Sequence, residues 1–126
     1  MKLISLKIRD RFRSLPPNFE IHFQQGLERA DISEFRPYCL VGLNGCGKSN
    51  ILEALAQIFY HLELCVSVNL PSQLRGSDIF SRKGGTIESY HLEYYWYDKE
   101  VSTFDMSHIH KVTVDKQKNS SPRMSV

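Results

Sequence analysis

A chain of 126 residues, 41% hydrophobic and 24% charged, suits one globular domain around a single core, and its formal charge of +2 is too small to argue for nucleic acid by itself. No apolar run approaches the roughly 20 residues of a membrane helix, and the opening Met1-Lys2-Leu3-Ile4-Ser5-Leu6-Lys7 lacks the apolar core of a signal peptide. Cys39, Cys46 and Cys65 are odd in number and make no disulfide framework, so a cytoplasmic protein without a membrane partner is expected.

Residues 4–13 alternate, with Ile4, Leu6, Ile8 and Phe12 on one face and Ser5, Lys7, Arg9, Arg11 and Arg13 on the other. Period two predicts a half-buried strand. Pro16-Pro17-Asn18 is turn chemistry, and Phe19, Ile21 and Phe23 alternate with polar residues as a second, hairpin-paired strand. Residues 25–37 read as a surface connection. Tyr38-Cys39-Leu40-Val41 is a short continuous apolar run, the pattern of a strand buried on both faces.

From Ser49 a helix is expected to about Leu64, with Ile51, Leu52, Leu55, Ile58, Phe59 and Leu62 on one stripe. Leu70-Pro71-Ser72, Gly76 and Gly84-Gly85 mark a loop-rich stretch. Residues 87–97 alternate again, with Tyr90, Leu92, Tyr94 and Trp96 on one face; Asp98-Lys99-Glu100 is a turn, and residues 109–114 are the returning strand. The polar residues 116–126 read as a disordered tail.

Between the apolar run and the helix stands Gly42-Leu43-Asn44-Gly45-Cys46-Gly47-Lys48-Ser49, which fits G-x-x-x-x-G-K-[ST] in its strand-to-helix context. Glycines let the backbone turn tightly enough to aim consecutive N–H groups at phosphate oxygens. The start of the helix adds unpaired donors and a positive dipole end. Lys48 is placed for the outer phosphates and the Ser49 hydroxyl for Mg²⁺. The motif predicts a cradle for a nucleoside triphosphate with Mg²⁺.

Residues 42–50 followed by Ile51-Leu52-Glu53-Ala54-Leu55 resemble the G-x-N-G-x-G-K-S-N-[IL]-[IL]-E-A-[IL] signature of ABC-type ATPases of the SMC/RecF kind. Cys46 stands where that family has Ser, Thr or Ala. Arg11-Phe12-Arg13-Ser14-Leu15 is similar to the family's F-[RK]-S-[FL] element, whose basic residue and serine lie near the nucleotide, and residues 81–87 are similar to its I-R-x-G stretch. Residues 11–17 and 37–63 further resemble ATPase subunits of anti-phage and restriction-associated systems such as Septu and some retrons. The resemblance implies an α/β fold, a P-loop NTPase lobe of ABC/SMC type with an antiparallel β subdomain. It spans residues 1–115 as the amino-terminal part of a lobe.

The resemblance also implies ATP with Mg²⁺, and a nucleotide site of Arg13, Ser14, Gly42, Leu43, Asn44, Gly45, Cys46, Gly47, Lys48, Ser49 and Asn50. Its implied partners are a second lobe in a head-to-tail dimer, nucleic acid, and an effector nuclease. No catalytic residue is assigned. The family's Asp-Glu strand has one candidate, residues 94–100, which reads better as a hairpin tip. Gln73 falls too early for the Mg²⁺-contacting glutamine. A non-catalytic ATP-binding module is therefore the alternative, and a kinase or GTPase is disfavoured because no Asn-Lys-x-Asp element is present.

Other features carry two readings each. The row Lys7, Arg9, Arg11 and Arg13 is a nucleic-acid contact or an ordinary solvated strand face. His108 with His110, and His61 with Cys65, each supply only two metal ligands where zinc takes three or four, so packing is the better reading. Tyr90, Tyr94 and Trp96 are bases' stacking partners or, more simply, core.

Overall fold

The computed structural model describes residues 1–23, 37–66, 87–97 and 109–126. They form a five-stranded, fully antiparallel sheet and one helix. Strand β1 (Lys2–Ile8) is flanked by β2 (Phe19–His22) and β3 (Tyr90–Tyr97); β4 (Ile109–Lys116) and β5 (Arg123–Ser125) follow, in the order β2-β1-β3-β4-β5. Helix α1 spans Lys48–Val66.

Register explains the core. Leu6, Leu92 and Val114 stand in line across three strands and are wholly buried. Ile8 faces Tyr90 and Tyr94 faces Val112 in the same way. Against this face α1 sets Ile51, Ala54, Ile58 and Leu62, and Phe59 meets Tyr94 edge-on with ring centroids 5.8 Å apart. Fully burying a side chain such as Ile58 stabilises by about 1.5–3 kcal/mol. The other face of the sheet is polar. There Arg9 pairs with Asp115, Asp115 and Glu93 flank His91, and Glu93 meets Lys111.

Several expectations need correction. The first strand stops at Ile8 rather than Arg13. Arg9 N–H donates to Ser89 O and Arg9 O accepts from Asn18 N–H, which closes a loop over the intervening residues. Within it Phe12 and Leu15 exchange backbone hydrogen bonds of 3.2 and 2.8 Å around Arg13, whose φ is 51°. A bulge between Leu3 and Ser5 brings Leu3, not Ile4, opposite Tyr94 and onto the core. The basic row is accordingly not one strand face: Arg9 is tied to Asp115 and to the carbonyls of Tyr90 and Lys116, and Arg13 lies in the turn.

Residues 38–41 are not a buried strand. Among the described residues no strand pairs with them, and without a ladder an apolar run has no reason to be flat and central. Tyr38 instead packs edge-on against Phe23 at 5.2 Å, Leu40 covers the core rim, and Val41 is 92% exposed. On α1 the stripe is shifted: Leu52 faces solvent while Ala54 and Gln57 are buried. The helix runs two residues past Leu64, to Val66. Tyr90 and Tyr94 are core, as the plainer reading had it, but Trp96 is half exposed. In the stretch expected as a disordered tail, Arg123–Ser125 pairs with β4 as an edge strand. Residues 25–36, the 70–86 stretch with Gln73, the 98–100 turn and His108 lie outside the described residues.

Candidate functional site

The glycine loop leads straight into α1. Gly47 O accepts from Ile51 N–H at 3.1 Å, so Gly47 caps the helix and Lys48 is its first residue. The N–H groups of that first turn have no acceptor within the helix. No acidic side chain occupies the turn, which leaves the positive dipole end uncompensated by the helix itself. Gly45 and Gly47 have φ of 84° and 99°, values that side chains with a Cβ rarely adopt. At Gly42 a Cβ would fall 2.7 Å from Cys46 Sγ, so the Cys46 side chain folds back onto the start of the loop.

Lys48 folds back over the loop. Its ammonium donates to Gly42 O at 2.5 Å and Leu43 O at 2.8 Å, and reaches Cys46 Sγ at 3.5 Å. A half-buried cation held by neutral carbonyls is placed to exchange them for anionic oxygens, which bind it more strongly. Ser49, at the second position of α1, is exposed, as are residues 42–46. The loop thus offers backbone donors, one cation and one hydroxyl on a single open surface.

The turn around Arg13 closes one side of this surface. Asn50 Nδ2 donates to Ser14 Oγ, and the Arg13 guanidinium pairs with Glu53. A Cβ at Gly47 would meet Leu15 Cδ2 at 3.1 Å and Ser14 Oγ at 3.4 Å. Arg13 also lies over the Phe12 ring, 5.6 Å from its centroid, and its backbone carbonyl accepts from Arg11 Nε at 3.4 Å. Arg13 Nε is buried and finds no acceptor. The structure therefore brings Arg13, Ser14, Gly47, Lys48, Ser49 and Asn50 together, while Leu43 points outward at 85% exposure and Asn44 is exposed.

Two residues of this assembly escaped the sequence reading. Glu53 stood out only as part of the family signature, and Leu15 only as the end of an element. Beyond that signature, Glu53 was marked only by its spacing, one helical turn from Ser49 on the same side of α1, which does not foretell its pairing with Arg13.

Elsewhere, His61 and Cys65 approach to 3.9 Å, and no group of three metal-binding side chains occurs among the described residues. Burial, then the charge of Lys116, holds the His61 imidazole below its ordinary 6.5. A cleft of about 200 Å³ between Ile8, Phe12, Ile87 and the charged Asp10, Arg11, Glu88 and Lys118 includes no residue of the glycine loop. Among the described residues no helix is long and apolar enough to cross a membrane. No protein-family model, curated protein or solved structure matches the chain.

Proposed function

We propose that this chain is the nucleotide-binding part of an ABC-type ATPase lobe of the SMC/RecF kind, taking ATP with Mg²⁺ at the loop of residues 42–49. The observation that carries the reading is the docking of the Arg13-Ser14 turn onto the first turns of α1 through Asn50 and Glu53. A glycine turn that matched the phosphate motif by accident would not call for a second, cationic element folded onto it. The two segments are remote in sequence and resemble neighbouring elements of one nucleotide site.

In this reading the N–H groups of Gly45 and of residues 47–49 receive the phosphate oxygens, while Cys46 N–H donates to Leu43 O and holds the loop's bend. Lys48 leaves its carbonyl partners for the outer phosphates, and Ser49 Oγ is the protein's ligand to Mg²⁺. The exposed hydroxyl on an uncompensated helix start fits a cation that arrives with the phosphates, since Mg²⁺ keeps most of its waters and few protein ligands. The metal would draw charge from the phosphate oxygens. A second lobe is the partner this reading implies. Arg9 is held by Asp115 on the polar face of the sheet and Arg13 by Glu53 in the turn, so the four cations of the row do not share one face.

Calorimetric titration with ATP, GTP and CTP, each with Mg²⁺, tests the assignment. Saturable ATP binding that is lost without Mg²⁺ or the triphosphate is expected. Tighter binding of GTP than ATP would move the chain to another P-loop class.

A further inference from the structure

We infer that Glu53 is a positioning residue for nucleotide binding, acting through Arg13. The inference rests on the proposed nucleotide site and adds to it a residue with no expected contact to ATP. Glu53 lies one turn beyond Ser49 on the same side of α1, and its carboxylate holds the Arg13 guanidinium there. Both side chains are about three-quarters buried, at 28% and 27% exposure, so the pair is partly withdrawn from water and held in place.

Three observations say that the guanidinium is held in place and not merely neutralised. Arg13 takes a left-handed backbone conformation, φ 51°, which a long L side chain adopts only where its surroundings impose it. Its Nε–H is buried without an acceptor, so the group retains a donor that its carboxylate partner does not use. The same turn is fixed again by Ser14 on Asn50 and by Leu15 against Gly47, at the head of the phosphate loop. A guanidinium fixed in a turn that packs on the start of α1 suits an anionic oxygen bound there. Glu53 sets its direction.

The pair can be tested by four variants in the full chain: R13Q, E53Q, R13Q/E53Q, and the charge-swapped R13E/E53R. Thermal melting and ATP·Mg²⁺ affinity are read on each, with K48A as control. Losing the Arg13 contact is expected to weaken ATP about tenfold or more. E53Q should weaken it several-fold, and the double variant no further than R13Q. The swapped pair should recover melting temperature but not affinity, because the cation then sits on α1 instead of the turn. Restored affinity in the swap, additive losses in the double variant, or an E53Q protein that binds like wild type would overturn the inference. In those cases wild-type binding that K48A weakens roughly ten- to a hundredfold would leave the nucleotide site itself standing. Wild type that binds no ATP overturns both.

Discussion

Gly45 and Gly47 share a backbone region but differ in surroundings. A Cβ at Gly45 would meet nothing within 4 Å, so Gly45→Ala is charged only with its φ of 84°, about 1–2 kcal/mol. Gly47→Ala carries a similar strain at φ 99° and also drives a methyl to 3.1 Å from Leu15. It should cost more, and it should loosen the Arg13 turn from α1. Chemical denaturation of both variants checks this. Equal losses would mean that Leu15 yields freely and that the turn is not packed as described. The glycines themselves were legible from the motif. Their different roles were not, because the neighbour that distinguishes them, Leu15, is remote in sequence.

Along α1, burial rather than residue type sets the cost of truncation. Ile58→Ala, at a fully buried site, should lose about 2–5 kcal/mol, whereas Leu52→Ala, at 60% exposure, should stay within about 0.5 kcal/mol. Both positions lay on the apolar stripe read from sequence. Periodicity located the helix but could not fix which edge of a wide stripe faces the sheet. Strands showed the opposite failure at residues 38–41: an apolar run reads alike whether it is a central strand or a cover over the core rim, and only its neighbours decide.

On the polar face, Asp115 links the end of β4 to Arg9. The Arg9 hydrogen bond outweighs the upward push of burial and, with smaller help from His91 and Gln117, holds its carboxyl below the ordinary 3.8. Burial pushes Glu93 up, but hydrogen bonds from His91 and Lys111 outweigh it and leave the carboxyl below 4.5. A lowered folded-state pKa stabilises above the unfolded value and is lost as pH falls through the folded one. Asp115→Asn should therefore lower stability at neutral pH, by less than about 1 kcal/mol for a pair this exposed. The difference from wild type should close as pH falls below 3.8. A gap that persists in acid would assign the effect to packing instead.

At the scale of the whole molecule, alternation in residues 4–13, 19–23 and 87–97, with a returning strand expected at 109–114, made four of the five strands legible, the first of them drawn five residues too long. It could not give their order, in which β1 sits between β2 and β3, since pairing over long separations leaves no mark in local pattern. β5 was missed because three polar-flanked residues carry too short a signal. Of the candidate site, the loop and the Arg13-Ser14 element could be picked out as segments; the Glu53 pair between turn and helix could not, because it depends on tertiary placement. The central claim is that residues 42–49 bind ATP·Mg²⁺ through Lys48. Its most direct test is calorimetric titration of ATP·Mg²⁺ into the wild type and Lys48→Ala, with folding of both checked by circular dichroism. Replacing the carbonyl-held ammonium by a methyl should cost about 1.5–3 kcal/mol of binding, roughly ten- to a hundredfold in affinity, with the fold unchanged. Equal ATP affinity in the two folded proteins would contradict the account.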